Sequence, residues 1–245
     1  MPNHQKPPLL ILHGFRGNHL GFTEVAKKLE AAGYKVYIPD LPPAGNYDLP
    51  AYTANAYAQF VADYIKKQDL DHPVLIGHSM GSIIAAATAR KFPKLINNRL
   101  ILLSPISNKP ARFFASLTPL TTLLPNRAIG YISTKYLYVP KSQANLKSIL
   151  KTTYLCGADC VSKKAGFSSA KFSATHSIAN FLPAPGNFQI TLISGEHDRL
   201  IPKKQTDTLA RRLNAKNIYL KNSGHLINYE KPAELSETIL QILAQ

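Results

Sequence analysis

A serine between two glycines is the first candidate for chemistry in this chain of 245 residues. Residues 77–81 read GHSMG, with Ser79 at the centre of a G-x-S-x-G pattern. An apolar run, PVLI, precedes the pattern, and small aliphatic residues follow it. A strand that turns sharply into a helix at a serine exposes the hydroxyl for attack on a carbonyl group. We therefore predict that Ser79 is a nucleophile; the alternative is a glycine turn that merely joins strand to helix.

A serine hydroxyl needs a base, and the base needs a group that orients it. His225 lies in the segment NSGHLINYEKP, between the last predicted strand and the last predicted helix. Asp198 lies in LISGEHDRLIP, at the end of the strand before it. We predict that His225 is the base and that Asp198 orients it. Glu196 is the rival carboxylate, and Asp198 can instead cap the helix that begins near Pro202.

The loop after the first apolar run is the candidate for stabilising an oxyanion. It reads LHGFRG, and Gly14 permits close approach of the backbone. The N–H of Phe15 can then act together with that of Met80, which begins the helix after the serine. We expect His13 to brace this loop through hydrogen bonds.

Two further residues beside these motifs are candidates for contact with a substrate. His78 precedes the serine, and Arg16 follows the oxyanion loop. Arg16 is either a surface arginine or a ligand for a carboxylate or phosphate at the mouth of the pocket.

The elements that must position these residues alternate between strand and helix. Such alternation predicts an α/β fold with a mostly parallel sheet and helices on both faces. Because the carboxyl ends of parallel strands share one edge, the three candidate catalytic residues are expected to meet there. The predicted strands are 8–14, 34–40, 73–79, 99–105, 187–198 and 215–222, and the predicted helices are 22–33, 51–68, 80–92, 202–213 and 231–245.

The alternation stops between residues 106 and 186. We predict a core domain of residues 1–105 and 187–245, with 106–186 inserted as a cap over a ligand crevice. The net charge of the chain is +15, and the insertion carries much of it with a single acid, Asp159. The charge is either a solvated outer face or an attraction to anionic substrates or an anionic membrane. Its basic residues are Lys109, Arg112, Arg127, Lys135, Lys141, Lys147, Lys151, Lys163, Lys164 and Lys171.

The segments LLILHGFRG, VLIGHSMGS, LISGEHDRLIP and NSGHLINYEKP resemble the α/β-hydrolase superfamily, in particular its small serine hydrolases of the esterase and lipase type. The resemblance covers residues 7–105 and 187–245. It implies the α/β-hydrolase fold with an inserted cap, a Ser–Asp–His triad, ester hydrolysis through an acyl-enzyme, and no metal or organic cofactor. Haloalkane dehalogenases and epoxide hydrolases of this fold carry an aspartate at the position that corresponds to Ser79, so the serine argues against both.

Other functions stay open from the sequence. One is a lyase or C–C-bond hydrolase that uses the same triad on a carboxylate-bearing substrate, and another is a non-enzymatic ligand-binding protein. We expect a small ester as substrate, an anionic one if the basic cap selects it, and no nucleic acid, because no binding motif accompanies the charge. The short apolar runs and the two cysteines, Cys156 and Cys160, predict a cytoplasmic protein.

Overall fold

The computed structural model describes residues 6–45, 47–107, 162–181 and 188–245. At its centre is one parallel β-sheet of six strands. Every strand pair in these residues is parallel, and the sheet order is β2-β1-β3-β4-β5-β6. The predicted α/β-hydrolase architecture is thereby confirmed. The strands are β1 (Leu9–Leu12), β2 (Val36–Tyr37), β3 (Val74–His78), β4 (Arg99–Leu103), β5 (Gln189–Gly195) and β6 (Lys216–Leu220).

Helices cover both faces of this sheet. They are α1 (Thr23–Ala31), α2 (Ala54–Lys67), α3 (Met80–Lys91), α4 (Lys163–Thr175), α5 (Lys203–Leu213), α6 (Ile227–Glu230) and α7 (Pro232–Leu243). The apolar cores on the two faces are separate: α2 and α3 contribute to one, and α1 and α7 to the other. Strands β1, β3 and β4 read as nearly continuous apolar runs because both of their faces are covered.

Strand β2 is shorter than the predicted strand over residues 34–40. It pairs only with β1, through two residues, at the edge of the described sheet. Tyr34 lies outside the strand, because its N–H donates back to the carbonyl of Leu29 in α1. Pro39 has no N–H with which to continue a ladder. The short helix α6 was not predicted.

Two glycines allow β3 to turn directly into α3. A Cβ at Gly77 would overlap the backbone of Gly81, and a Cβ at Gly81 would overlap the carbonyl group of Leu12 on β1. The strand, the helix and the neighbouring strand therefore meet at backbone contact distance. The predicted need for glycine on both sides of the serine is confirmed.

The described part of the insertion packs on the core. Phe172 of α4 is buried against Tyr57 of α2, with ring centroids 5.0 Å apart. The N–H of Ile178 donates to the carbonyl of Ile106 at 2.9 Å, which joins the described ends of the insertion beside β4. The domain boundaries and the covering role of 106–186 stay predictions. Outside the described residues lie both cysteines, Asp159, and the basic residues Lys109, Arg112, Arg127, Lys135, Lys141, Lys147 and Lys151.

Candidate active site

Ser79 stands on the turn between β3 and α3. Its backbone has φ +52° and ψ −116°, a conformation that residues with a side chain rarely adopt. The turn is held from below, because the N–H of Ser79 donates to the carbonyl of Leu103 on β4 at 2.9 Å. The side chain is thereby presented at the carboxyl edge of the sheet, where the residue is 7% exposed.

His225 connects the serine to a carboxylate. Its Nε2 lies 2.9 Å from the hydroxyl oxygen of Ser79, and its Nδ1 lies 2.8 Å from Oδ2 of Asp198. All three residues are buried. The carboxylate fixes the tautomer with hydrogen on Nδ1, so Nε2 is free to accept the serine proton. The sequence placed these three residues at one edge, and the structure brings them into one chain of hydrogen bonds.

The two oxygens of Asp198 have different partners. Oδ1 accepts the N–H groups of Leu200 and Ile201, at 2.8 and 2.9 Å, and Oδ2 faces His225. Asp198 thus faces the histidine and closes the turn before α5, but it does not cap that helix, whose N-cap Pro202 has no side-chain hydrogen bond. The rival Glu196 is exposed and accepts the N–H of Asn222, so it is not the partner of the histidine.

The loop that carries His225 is fixed by contacts that the sequence did not reveal. A Cβ at Gly195 would overlap the carbonyl of Gly224, so the end of β5 touches this loop directly. Glu230 folds back from α6 and accepts the N–H groups of Gly224 and Leu226, each at 3.1 Å. The segment NYEKP offers only its acidic residue as a signal, and an acid in a polar loop is usually solvated.

His78 is buried against His225. Its Nε2 is 3.0 Å from the carbonyl oxygen of His225, and its ring packs edge-on against Phe22. Burial, reinforced by the nearby His225, lowers the pKa of His78 to about 3, so the ring is neutral and Nε2–H donates. This placement supports the backbone of the base, and the predicted contact with substrate stays a prediction.

The candidate oxyanion loop lies against the serine. A Cβ at Gly14 would stand 3.2 Å from Cβ of Ser79, so the chain entering Phe15 passes beside the nucleophile. His13 braces this loop as predicted: Nδ1 lies 2.9 Å from the carbonyl of Gly14, and Nε2 accepts the N–H of Leu41 at 2.8 Å. Burial lowers the pKa of His13, which keeps it neutral. Met80 is the first residue of α3, where a backbone N–H has no partner within the helix.

Arg16 is half-buried beside the oxyanion loop. Its φ of +57° turns the chain after Phe15, and its guanidinium carbon lies 5.5 Å from the centroid of the Phe15 ring. An arginine over an aromatic face is a favourable cation–π arrangement. A contact between Arg16 and substrate stays a prediction.

The described residues offer neither a metal cluster nor a membrane-spanning helix. Within residues 6–45, 47–107, 162–181 and 188–245, no group of three or more His, Cys, Asp or Glu side chains is placed to hold a metal ion. In the same part of the chain, no helix has the length and apolar character needed to cross a membrane.

The curated relatives include lipases and hydrolases. Lipase 3 of Moraxella sp. (strain TA144) is 41% identical over 95 residues, which make up 37% of this chain and 30% of that protein. The matched stretch is thus under a third of that relative's length. The uncharacterized hydrolase YugF of Bacillus subtilis is 25% identical over 258 residues and matches 98% of this chain and 91% of its own.

The solved structures extend the likeness to the whole fold. An esterase from Exiguobacterium antarcticum superposes with a TM-score of 0.85 at 18% identity, over 98% of this chain and 92% of that one. A thermophilic esterase from Thermogutta terrifontis gives 0.82 at 20% identity, over 97% and 89%. At these identities the likeness concerns the fold alone. The family model described as "Alpha/beta hydrolase family" matches residues 9–238, and the chain belongs to that family.

Proposed function

We propose that this protein hydrolyses carboxylic esters, with Ser79 as nucleophile, His225 as base and acid, and Asp198 as the orienting carboxylate. The observation that carries the proposal is the buried chain of hydrogen bonds from the serine hydroxyl through the imidazole to the carboxylate, with lengths of 2.9 and 2.8 Å. Nucleophile and base at this separation meet the geometric requirement for proton transfer.

The reaction follows from this arrangement in two halves. The hydroxyl oxygen of Ser79 forms a bond to the ester carbonyl carbon, while its proton passes to Nε2 of His225. The carbonyl oxygen becomes an oxyanion, which the N–H groups of Phe15 and Met80 stabilise. The imidazolium protonates the departing alcohol as the C–O bond breaks. Water then repeats the sequence on the acyl-enzyme, releasing the carboxylic acid and the free serine.

The names of the relatives favour an ester over the other substrates open to this fold. Three curated relatives carry the name lipase, and the name of one of these also contains the word esterase. The small-ester substrate is therefore part of the proposal. The lyase or C–C-bond hydrolase and the non-enzymatic binding protein are outcomes of the test below.

A fluorophosphonate probe, which phosphonylates activated serines, tests the nucleophile. We expect stoichiometric labelling of Ser79 in the wild type and none in Ser79→Ala. Ser236→Ala, which alters a buried serine of α7, is the matched control and should label like the wild type. A folded wild type that does not label contradicts the proposal and favours a binding protein.

Turnover of p-nitrophenyl esters of increasing acyl length then tests the reaction. We expect hydrolysis that Ser79→Ala abolishes. Labelling at Ser79 without turnover of any ester contradicts ester hydrolysis and favours a lyase or C–C-bond hydrolase.

A further inference from the structure

A second carboxylate is buried beside the candidate base. Glu230 ends α6 and is 1% exposed. Its Oε1 lies 3.1 Å from the backbone nitrogen of Gly224 and 3.1 Å from that of Leu226, and Oε2 also lies 3.1 Å from Gly224. The two donors belong to the residues immediately before and after His225. Oε1 thus bridges the base on both sides of its position in the chain.

Other contacts complete the support of His225. Its carbonyl oxygen faces Nε2 of His78, and its ring is held by Asp198. The peptide group that follows His225 is therefore held at both ends, by His78 at its carbonyl and by Glu230 at its N–H, and Glu230 also holds the N–H of Gly224. A buried carboxylate is costly unless hydrogen bonds satisfy it, so Glu230 is held in place by the same donors that it positions.

We propose that Glu230 is a positioning residue for His225, acting through a bridge of its Oε1 between the flanking N–H groups. This inference rests on the proposed function, in which His225 moves the proton. A base must stand within hydrogen-bond reach of the proton that it removes, and a displacement of about 1 Å can cost about 100-fold in rate. Without the bridge, the imidazole can still accept a proton, but its distance to the hydroxyl oxygen of Ser79 is no longer fixed.

Two conservative variants distinguish the length of the Glu230 side chain from its negative charge as the cause of its effect. Glu230→Gln is neutral, and its carbonyl oxygen in the place of Oε1 still reaches both donors; only the additional contact of Oε2 with Gly224 is lost. Glu230→Asp keeps the charge but is shorter by one C–C bond, about 1.5 Å, and does not reach both donors. A bridging role therefore ranks Gln above Asp, and a role for the charge ranks Asp above Gln.

The kinetic experiment compares these variants on p-nitrophenyl butyrate. We expect kcat of Glu230→Asp to fall about 100-fold with KM within about twofold, and kcat of Glu230→Gln to stay within about fivefold of the wild type. Ile239→Ala, which opens a cavity in the buried face of α7, is the control for lost stability and should keep its kcat below its unfolding temperature. Equal kcat in all three folded variants, or Asp above Gln, overturns the inference.

A spectroscopic measurement keeps this test separate from ester turnover. The proton between Nδ1 of His225 and Asp198 is expected to give a low-field proton NMR resonance, which needs no substrate. We expect this resonance in the wild type and in Glu230→Gln, and its loss or broadening in Glu230→Asp. A wild type that shows the resonance but turns over no ester contradicts the proposed function alone. A Glu230→Asp spectrum identical to the wild type contradicts the inference alone.

Discussion

Nε2 of His78 lies 3.0 Å from the carbonyl oxygen of His225, so the residue before Ser79 supports the residue that faces Ser79. The two histidines are 147 positions apart in the chain. Their contact ties the end of β3 to the loop before α6 and couples the position of Ser79 to that of its base. The bond requires hydrogen on Nε2 of a neutral, buried ring.

The burial of His78 makes stability depend on pH. Its pKa is about 3 in the folded protein and about 6.5 when unfolded, so between these values the unfolded chain binds a proton that the folded chain does not. The free energy of unfolding therefore falls as pH falls through this window, and His78 alone accounts for a loss of about 2 kcal/mol between pH 8 and pH 5. His13, whose pKa burial also lowers, adds in the same direction.

Urea unfolding at pH 8 and pH 5 measures this dependence. We expect His78→Gln, which does not titrate, to lose about 2 kcal/mol less than the wild type over this interval. The exposed His72 provides the control, and His72→Gln should follow the wild type. Identical losses in His78→Gln and the wild type would contradict the assignment.

The two partners of Asp198 predict the effect of an amide at this position. In Asp198→Asn, the N–H groups of Leu200 and Ile201 retain the carbonyl oxygen, so the amide nitrogen turns toward His225. Nδ1 must then accept, the hydrogen moves to Nε2, and the ring no longer takes the serine proton. We expect kcat to fall by about 10⁴ with the fold retained. Glu196→Gln should match the wild type, and a loss in Glu196→Gln with wild-type kcat in Asp198→Asn would show that the wrong carboxylate has been chosen.

The sequence was sufficient for the parts of the site that depend on strand order. Apolar runs separated by amphipathic segments predicted the parallel sheet, and parallel strands bring their carboxyl ends to one edge. Ser79, Asp198 and His225 each follow a different predicted strand, so their meeting required no knowledge of side-chain positions. Strand order does not distinguish Asp198 from Glu196, which lie at the end of the same strand; Asp198 was preferred, and it is the carboxylate that faces His225.

The supporting contacts were beyond the sequence because they depend on distances between loops. From the sequence, Glu230 is expected to be a solvated acid. In the structure it is buried at the end of α6 and accepts hydrogen bonds from the loop of His225. From the sequence, Gly195 only marks the end of a strand. In the structure its Cα lies so close to the carbonyl of Gly224 that no Cβ would fit. His78 was predicted only as a contact for substrate, which stays a prediction. Its bond to the carbonyl of His225 and its packing against Phe22 depend on distances that the sequence does not contain.

The fit of Gly14 against the nucleophile predicts a loss of oxyanion stabilisation on substitution. A Cβ at this position would stand 3.0 Å from Nδ1 of His78 and 3.2 Å from Cβ of Ser79, so the backbone entering Phe15 and these two side chains must separate by a few tenths of an ångström. We expect Gly14→Ala to lower kcat about 100-fold, the cost of one misplaced donor. Gly33→Ala, which alters a surface turn with φ +85°, is the control and should lower stability by about 1 kcal/mol without changing kcat. An unchanged kcat in Gly14→Ala would contradict the predicted displacement of the N–H of Phe15.

The strained backbone of Ser79 predicts that replacing the serine by glycine abolishes activity but relieves the strain and so stabilises the fold. At φ +52° and ψ −116°, a residue with a Cβ is strained by about 1–3 kcal/mol, and glycine is not. Glycine loses about 0.5–1 kcal/mol through its freer unfolded chain, so the relief outweighs the loss. We expect Ser79→Gly to be more stable than Ser79→Ala by about 1 kcal/mol, with both inactive. The comparison isolates the backbone, because neither variant bonds to His225. Urea unfolding of the two variants measures the difference, and an alanine variant as stable as the glycine variant would show that the turn is unstrained.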